Sequence, residues 1–131
     1  MSYYFSTTLK DHEFDSVIDQ VTEALKSEGF GVLTEIDVKD TFQKKLNTDF
    51  RNYRIVGACN PEFAHKAISY EDRIGVFLPC NVIVQERENG LIEVSAVDPI
   101  ASMSPVKNEA LGELASEVQE RLKRVIAHLG N

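Results

Sequence analysis

The chain alternates between two spacings of its apolar residues, one typical of strands and one typical of helices. Stretches in which every second residue is apolar predict strands, because successive side chains of a strand point to opposite faces. Stretches in which apolar residues recur every three or four positions predict amphipathic helices. The predicted strands cover residues 3–9, 31–38, 53–59, 81–88 and 91–98, and the predicted helices cover residues 14–25, 39–46, 61–68 and 111–129.

The element order is therefore β-α-β-α-β-α-β-β-α, within one domain over residues 1–131. This order predicts an α+β fold, with a mostly antiparallel or mixed sheet and helices packed on one face. Short helical connections suit parallel crossovers as well as antiparallel returns, so the order of the strands stays open. We expect the apolar segment 74–78 to be extended and the segment 100–105 to be a loop.

The last helix carries the clearest pattern in the chain. Its apolar positions form one stripe, and Gly130 is expected to end the helix. The stripe consists of Leu111, Leu114, Ala115, Val118, Leu122, Val125, Ile126 and Leu129. We expect this stripe to pack on the sheet, with Leu122 buried.

The pair Asn89-Gly90 predicts a β-hairpin between the last two strands. A two-residue turn at this pair would place Gln85 opposite Val94. Both faces of the hairpin would then be partly apolar, and the helices of so short a chain do not suffice to cover both. The sequence therefore predicts a homodimer, in which a second copy covers the remaining face or edge.

Composition and charge are those of a soluble globular protein and exclude some partners. The chain has 131 residues, of which 43% are hydrophobic, and a net charge of −7. An acidic balance argues against general binding of nucleic acid or of anionic membranes, because both rely on clustered Lys and Arg. There is no run of about 18 apolar residues, so we expect no membrane span.

The two cysteines are expected to be reduced. The first residues lack a charged start followed by a long apolar block, so we expect no signal peptide and a cytoplasmic location. In a reducing compartment, free thiols, metal ligands or redox groups are more common than a structural disulfide.

Cys59 lies at the end of a predicted strand, directly before a predicted helix that Asn60 caps and Pro61 begins. The unpaired amides of a helix start lower the pKa of a nearby thiol, which makes it a better nucleophile or ligand. The alternative is a small apolar residue that only packs. Gly57, inside the same strand, indicates a bulge or a close backbone approach.

Cys80 has the same local context, because it starts a strand and is followed by Asn81. If strands 53–59 and 80–87 are antiparallel neighbours, Cys59 and Cys80 lie at the same end of the sheet. If the two strands are parallel, the cysteines lie at opposite ends and a shared site is impossible. The sequence does not decide between these arrangements.

Several polar residues near these segments are candidates for the same site. His65, six positions after Cys59, could serve as a base or ligand, or be an ordinary surface residue. Asn60, Asn81 and Asp98 could contact a ligand, or only cap backbone amides. We assign no metal ligand set and leave the cofactor unknown, because the chain has no Cys-x-x-Cys pair, Walker loop, Gly-x-Gly-x-x-Gly or Gly-x-Ser-x-Gly.

The segment 39–54 reverses the acidic balance of the rest of the chain. It holds five basic residues, among them Lys45, Arg51 and Arg54, against two aspartates. One interpretation is an edge that binds a small anionic ligand, helped by the helix start at Pro61. The other is a solvated helix face followed by a loop.

Five phrases of the sequence, in order, resemble those of one protein family. They are GFGVLTEID (29–37), DFRNYRIVGACNP (49–61), AHKA (64–67), LPCNV (78–82) and VSAVDP (94–99). Over nearly the whole chain they resemble domain-of-unknown-function family 302. The resemblance implies a small α+β domain and a dimer, and it brings no settled activity. Relatives often carry a methionine pair where this chain has Ser102-Met103, which weakens an argument for thioether ligands.

Three functions therefore remain open, and the enzyme question with them. The first is a thiol-based site at Cys59 and Cys80, with His65 nearby, that binds a soft metal or reacts with a redox partner. The second is a module without catalytic activity that binds a small anionic ligand. The third is a structural dimer whose cysteines only pack. The separation of the two cysteines in the fold distinguishes the first from the third.

Overall fold

Each stretch with the two-residue period forms a strand in the computed structural model, which describes residues 2–130. The strands are β1 (Tyr4–Leu9), β2 (Gly31–Asp37), β3 (Tyr53–Cys59), β4 (Cys80–Glu86) and β5 (Ile92–Val97). They form one sheet in the order β1-β5-β4-β3-β2, and every neighbouring pair is antiparallel. The sheet predicted as mostly antiparallel or mixed is thus antiparallel throughout the described residues.

The helices also follow the predicted order, with two additions. They are α1 (Phe14–Ser27), α2 (Val38–Leu46), α3 (Pro61–Tyr70), α4 (Pro99–Ser102) and α5 (Glu109–Leu129). The extended segment expected at 74–78 is wrong, since Asp72–Phe77 forms a 3-10 helix. The loop expected at 100–105 begins as α4, because Pro99 suits a first helical position and the Asp98 side chain accepts a hydrogen bond from the Ile100 amide. Within residues 2–130, no helix has the length and apolar character needed to cross a bilayer.

The main core lies between one face of the sheet and the two long helices α1 and α5. Val17 and Leu25 on α1 and Leu122 on α5 are 0% exposed, which confirms the predicted burial of Leu122. A second, smaller cluster of buried residues consists of Ala67, Ile74 and Leu111, with Leu78, Met103, Val106 and Leu114 packed against it. The α5 stripe therefore serves two cores, one at each end of the helix.

The hairpin register differs from the prediction by one residue. The loop has three residues, Glu88–Gly90, and the Arg87 amide donates to the Leu91 carbonyl at 2.6 Å. Gln85 consequently pairs with Glu93 instead of Val94. Asn89 and Gly90 both have positive φ, as the Asn-Gly signal indicates, but that signal does not specify the loop length.

The corrected register separates the two faces of the hairpin. A shift of one residue moves every side chain to the other face. The core face holds Val82, Val84, Ile92, Val94 and Ala96, all at most 1% exposed. The other face holds Asn81, Ile83, Gln85, Glu93, Ser95 and Val97. The core face takes most of the apolar residues, while the second face keeps Ile83 and Val97 at the end away from the turn, so both faces are partly apolar as predicted.

The face opposite α1 and α5 carries a polar network. Glu93 Oε1 accepts hydrogen bonds from Gln85 Nε2 (3.2 Å), Arg87 Nη2 (3.3 Å) and Ser95 Oγ (3.4 Å). On the same face, Tyr4 of β1 is 43% exposed, and Ile36 of β2, at the other edge of the sheet, is 48% exposed. A homodimer through this face stays a prediction, now resting on these exposed residues. A monomer in light scattering at micromolar concentration would contradict it.

Candidate functional site

The joint between β3 and α3 forms as its sequence predicts. Asn60 Oδ1 accepts hydrogen bonds from the backbone amides of Glu62 (3.1 Å) and Phe63 (3.3 Å), and Pro61 takes the first helical position. Cys59, the last residue of β3, pairs with Gly31 of β2. The local context inferred for Cys59 is thereby confirmed.

β3 and β4 are antiparallel neighbours, so Cys59 and Cys80 lie at the same end of the sheet. Cys80 pairs with Ala58, which places the two cysteines at diagonal positions on adjacent strands. A cross-strand pair is about 4.5–5.5 Å apart and one residue rises about 3.4 Å, so the two Cα atoms are roughly 6 Å apart. The arrangement that would have excluded a shared site does not occur.

A mostly apolar pocket of about 50 Å³ lies at this end of the sheet, between the main core and the second cluster. Its walls include Cys59, Cys80 and Met103. Most of the rest is aromatic, aliphatic or proline: Phe30, Ala58, Phe63, Ala64, Ala67, Leu78, Pro79, Pro99, Leu111, Leu114, Ala115 and Val118. A water needs roughly 10–15 Å³ of such space, so the pocket has room for a few waters or one small ligand.

The electrostatics of the two thiols oppose the expected activation. Burial raises the pKa of the Cys80 thiol to about 11, and the neighbouring Cys59 thiolate adds to the effect. Burial also raises the pKa of Cys59. The helix start does not lower these pKa values, because Asn60 Oδ1 already accepts hydrogen bonds from two of its free amides. The expectation of a thiol with a lowered pKa is wrong, and both groups are protonated at neutral pH.

The raised pKa values predict slow alkylation of the native protein near neutral pH. The C80A variant reports the iodoacetamide reaction rate of Cys59 alone, and the C59A variant reports that of Cys80 alone. At pH 8, both rates should lie below the rate measured for the unfolded chain. The rate of Cys80 should still be rising above pH 9, since its pKa is about 11. A thiol that titrates below the ordinary value of about 8.5 would contradict this prediction.

The same shift makes stability depend on pH. A thiol with a raised pKa holds its proton more tightly in the folded state than in the unfolded state. The contribution of Cys80 to the free energy of unfolding is therefore fully present below the pKa of the thiol in the unfolded chain, about 8.5. This contribution is lost as the pH rises toward 11, the pKa in the folded state.

The other predicted site residues lie elsewhere. His65 is exposed on α3 and is absent from the pocket walls. Asn81 is exposed and pairs with Gly57. Asp98 caps α4 and also accepts a hydrogen bond from Gln119 Nε2 of α5 at 3.0 Å, which fastens the short helix to the long one. Of the polar candidates, Asn60 alone lines the pocket.

The predicted anion-binding residues are not brought together. The Arg54 side chain is 19% exposed and makes ion pairs with Glu35 (2.6 Å), Asp37 (3.5 Å) and Asp15 of α1 (3.8 Å). Arg51 instead donates to Gln85 Oε1 at 3.1 and 3.0 Å, on the opposite face of the sheet. Lys45 is exposed on α2. These positions give no support to a single anion site.

Sequence reasoning missed the walls of the pocket that come from distant segments. Met103 follows α4, Leu78 follows the 3-10 helix, and Leu114 and Val118 belong to α5. One signal was present in the sequence: helix α5, with its apolar stripe, extends over 21 residues, about 30 Å, which is longer than a strand of seven residues spans. The first half of α5 therefore extends beyond the sheet, and its apolar residues must pack against another apolar segment.

The fold and the pocket define a small α+β domain, in which a five-stranded antiparallel sheet and two long helices form the main core. The chain belongs to the family described as Domain of unknown function DUF302, whose model matches residues 5–129. The resemblance inferred from the five phrases is confirmed. No match was found among curated proteins.

A solved structure with the same fold is the crystal structure of the uncharacterized conserved protein DUF302 from Bacillus stearothermophilus. It is 28% identical to this chain, with a TM-score of 0.87, and the match covers 97% of this chain and 98% of that one. This likeness extends over nearly the whole chain, and it assigns no activity.

Proposed function

We propose that this protein binds a monovalent soft metal ion, copper(I) above all, through the thiolates of Cys59 and Cys80. The observation that carries the proposal is that both cysteines line the same pocket, whose other walls are almost entirely apolar. Soft thiolate ligands select soft ions such as copper(I). A reducing compartment, which stays a prediction, would keep both thiols available.

The raised pKa values argue against nucleophilic or redox catalysis at neutral pH, whereas metal binding proceeds with displacement of the thiol protons. A thiol protonated at neutral pH is a slow nucleophile, because the thiolate is the reactive form. A metal ion instead displaces the proton, and each cysteine that binds releases one proton to the solvent. Affinity should therefore increase with pH up to the pKa of Cys80, about 11.

The donor set argues against zinc. Structural zinc sites are almost always four-coordinate, with cysteine, histidine or carboxylate ligands. In the described part of the chain, no group of three or more His, Cys, Asp or Glu residues could hold a metal ion. Copper(I) accepts fewer ligands, so two cysteines in an apolar pocket suit it better.

An anaerobic titration of the reduced protein with copper(I), in competition with a chromogenic chelator, tests the proposal. We expect one ion per chain in the wild type. C59A and C80A should each lower the copper(I) affinity by at least about 100-fold. Mutation of a residue that only supports a metal ligand already costs about 10–100-fold in affinity, and these two variants remove a ligand itself. V118A, which alters a pocket wall but keeps both thiols, is the matched control and should retain the affinity.

Equal loss of copper to the chelator from the wild type and from the C59A/C80A double variant would overturn the proposal. The apolar walls favour one second candidate, a small apolar ligand. Such a ligand would bind the double variant as tightly as the wild type, because it does not need the thiols.

A further inference from the structure

Met103 lies at a defined position after α4. Its amide donates to the Pro99 carbonyl at 3.0 Å, so it forms the end of this short helix. The start of the helix is held by Asp98, whose Oδ1 accepts from the Ile100 amide and from Gln119 Nε2 of α5, both at 3.0 Å. The start of the segment that carries Met103 is thus fastened to α5.

Met103 lines the same pocket as Cys59 and Cys80. Cys59 comes from the end of β3, Cys80 from the start of β4, and Met103 from the end of α4. No carboxylate or imidazole is among the residues that line this pocket. Asn60 is the one amide in the lining, and its carbonyl oxygen already accepts two backbone hydrogen bonds. The donor set is therefore soft.

We propose that Met103 is the third ligand of the ion held by Cys59 and Cys80, which makes the site a three-sulfur copper(I) site. This inference rests on the proposed function and extends it by naming a third ligand. A methionine by itself does not indicate a metal site, because most methionines only pack in cores. Copper(I) is among the ions that thioether and thiolate sulfur select.

Charge gives the physical reason for a thioether in this place. Two thiolates and one copper(I) ion carry a net charge of −1, and burial of charge in an apolar pocket is costly. A third thiolate would make the charge −2, whereas the Met103 thioether adds a soft donor without adding charge. It also needs no deprotonation, so the pH dependence of binding should come from the two cysteines alone.

The ion would also join the two cores. Cys80 belongs to the main core, while Met103 packs against the second cluster, which contains Ile74 and Leu111. Binding should therefore raise the thermal midpoint of the wild type, because a ligand that binds the folded state alone stabilises it.

Selenomethionine labelling tests the inference directly, because the chain contains two methionines, Met1 and Met103. The copper-edge X-ray absorption spectrum of the labelled wild type should show one selenium and two sulfur neighbours. In labelled M103L, which keeps Met1, the selenium neighbour should be absent and the copper(I) affinity should fall about 10-fold. Leucine conserves the volume, so the metal-free thermal midpoint of M103L should stay close to that of the wild type.

The possible results separate this inference from the proposed function. Copper bound by sulfur alone in the labelled wild type, with unchanged affinity in M103L, would overturn the role of Met103 and leave the two-cysteine site standing. A selenium neighbour that persists in M103L would assign the contact to Met1 and also overturn the inference. Absence of copper binding by the wild type would overturn both proposals.

Discussion

Replacement of Leu122 by alanine is expected to lower the free energy of unfolding by about 2–5 kcal/mol. Leu122 is 0% exposed and lies in the main core, where α5 meets α1 and the sheet. Alanine would remove apolar surface from the core and leave a cavity that the close-packed neighbours refill only in part. Since a domain is stable by about 5–15 kcal/mol, this loss is a large fraction of the total.

Urea denaturation followed by circular dichroism measures this effect, and L46A is its matched control. Leu46 is also a helical leucine, in α2, but it is 65% exposed. The same substitution there should change the free energy of unfolding by no more than about 0.5 kcal/mol. Equal stability of L122A and L46A would refute the assignment of Leu122 to the core.

The substitution of Gly57 by alanine is expected to destabilise the protein by about 1–3 kcal/mol. A Cβ atom at position 57 would lie 2.8 Å from Pro79 Cγ and would clash with Thr34 Oγ1. Thr34 can rotate, but Pro79 is a rigid ring joined to Cys80, the first residue of β4. Relief of the clash must therefore displace the start of β4. This close approach confirms one of the two interpretations of a glycine within the strand.

G31A is the matched control for this prediction. Gly31 lies in β2 of the same sheet, and a Cβ atom there would meet no atom within 4 Å. Chemical denaturation should therefore show G31A near wild-type stability and G57A well below it. Because the displaced segment carries Cys80, G57A should also speed alkylation of this thiol in the folded protein. Equal stability and equal thiol reactivity in the two variants would contradict the role assigned to Gly57.

Local patterns predicted the elements well, because each pattern depends on neighbours within a few residues. The α5 stripe, the Asn60 cap and the positive φ values of Asn89 and Gly90 all follow from such short-range requirements. The hairpin register failed by one residue because Asn-Gly specifies the backbone of two residues and not the length of the loop around them. In a strand, that single residue changes which face is buried.

The candidate site was predictable only in part, because local patterns do not specify which distant segments come together. The sequence singled out Cys59 and Cys80 through their shared local context, but their proximity depends on β3 and β4 being antiparallel neighbours. The predicted lowering of the thiol pKa failed because burial raises the pKa of both thiols, and Asn60 accepts hydrogen bonds from the amides that would have stabilised a thiolate. For Met103 the sequence offered only a weakened argument for a thioether ligand, because most of the residues that share its pocket come from distant segments.

By itself, the sequence determined the order of the five strands and of the four longer helices, the α+β class, the Asn60 cap and the stripe that buries Leu122. These features depend on backbone preferences and on apolar spacing, which act over a few residues along the chain. The tertiary structure alone decided the strand order, the hairpin register, the raised thiol pKa values and the presence of Cys59, Cys80 and Met103 in the lining of one pocket. Pairing between distant strands and burial by distant helices set these features, and no local pattern encodes which distant segments will meet.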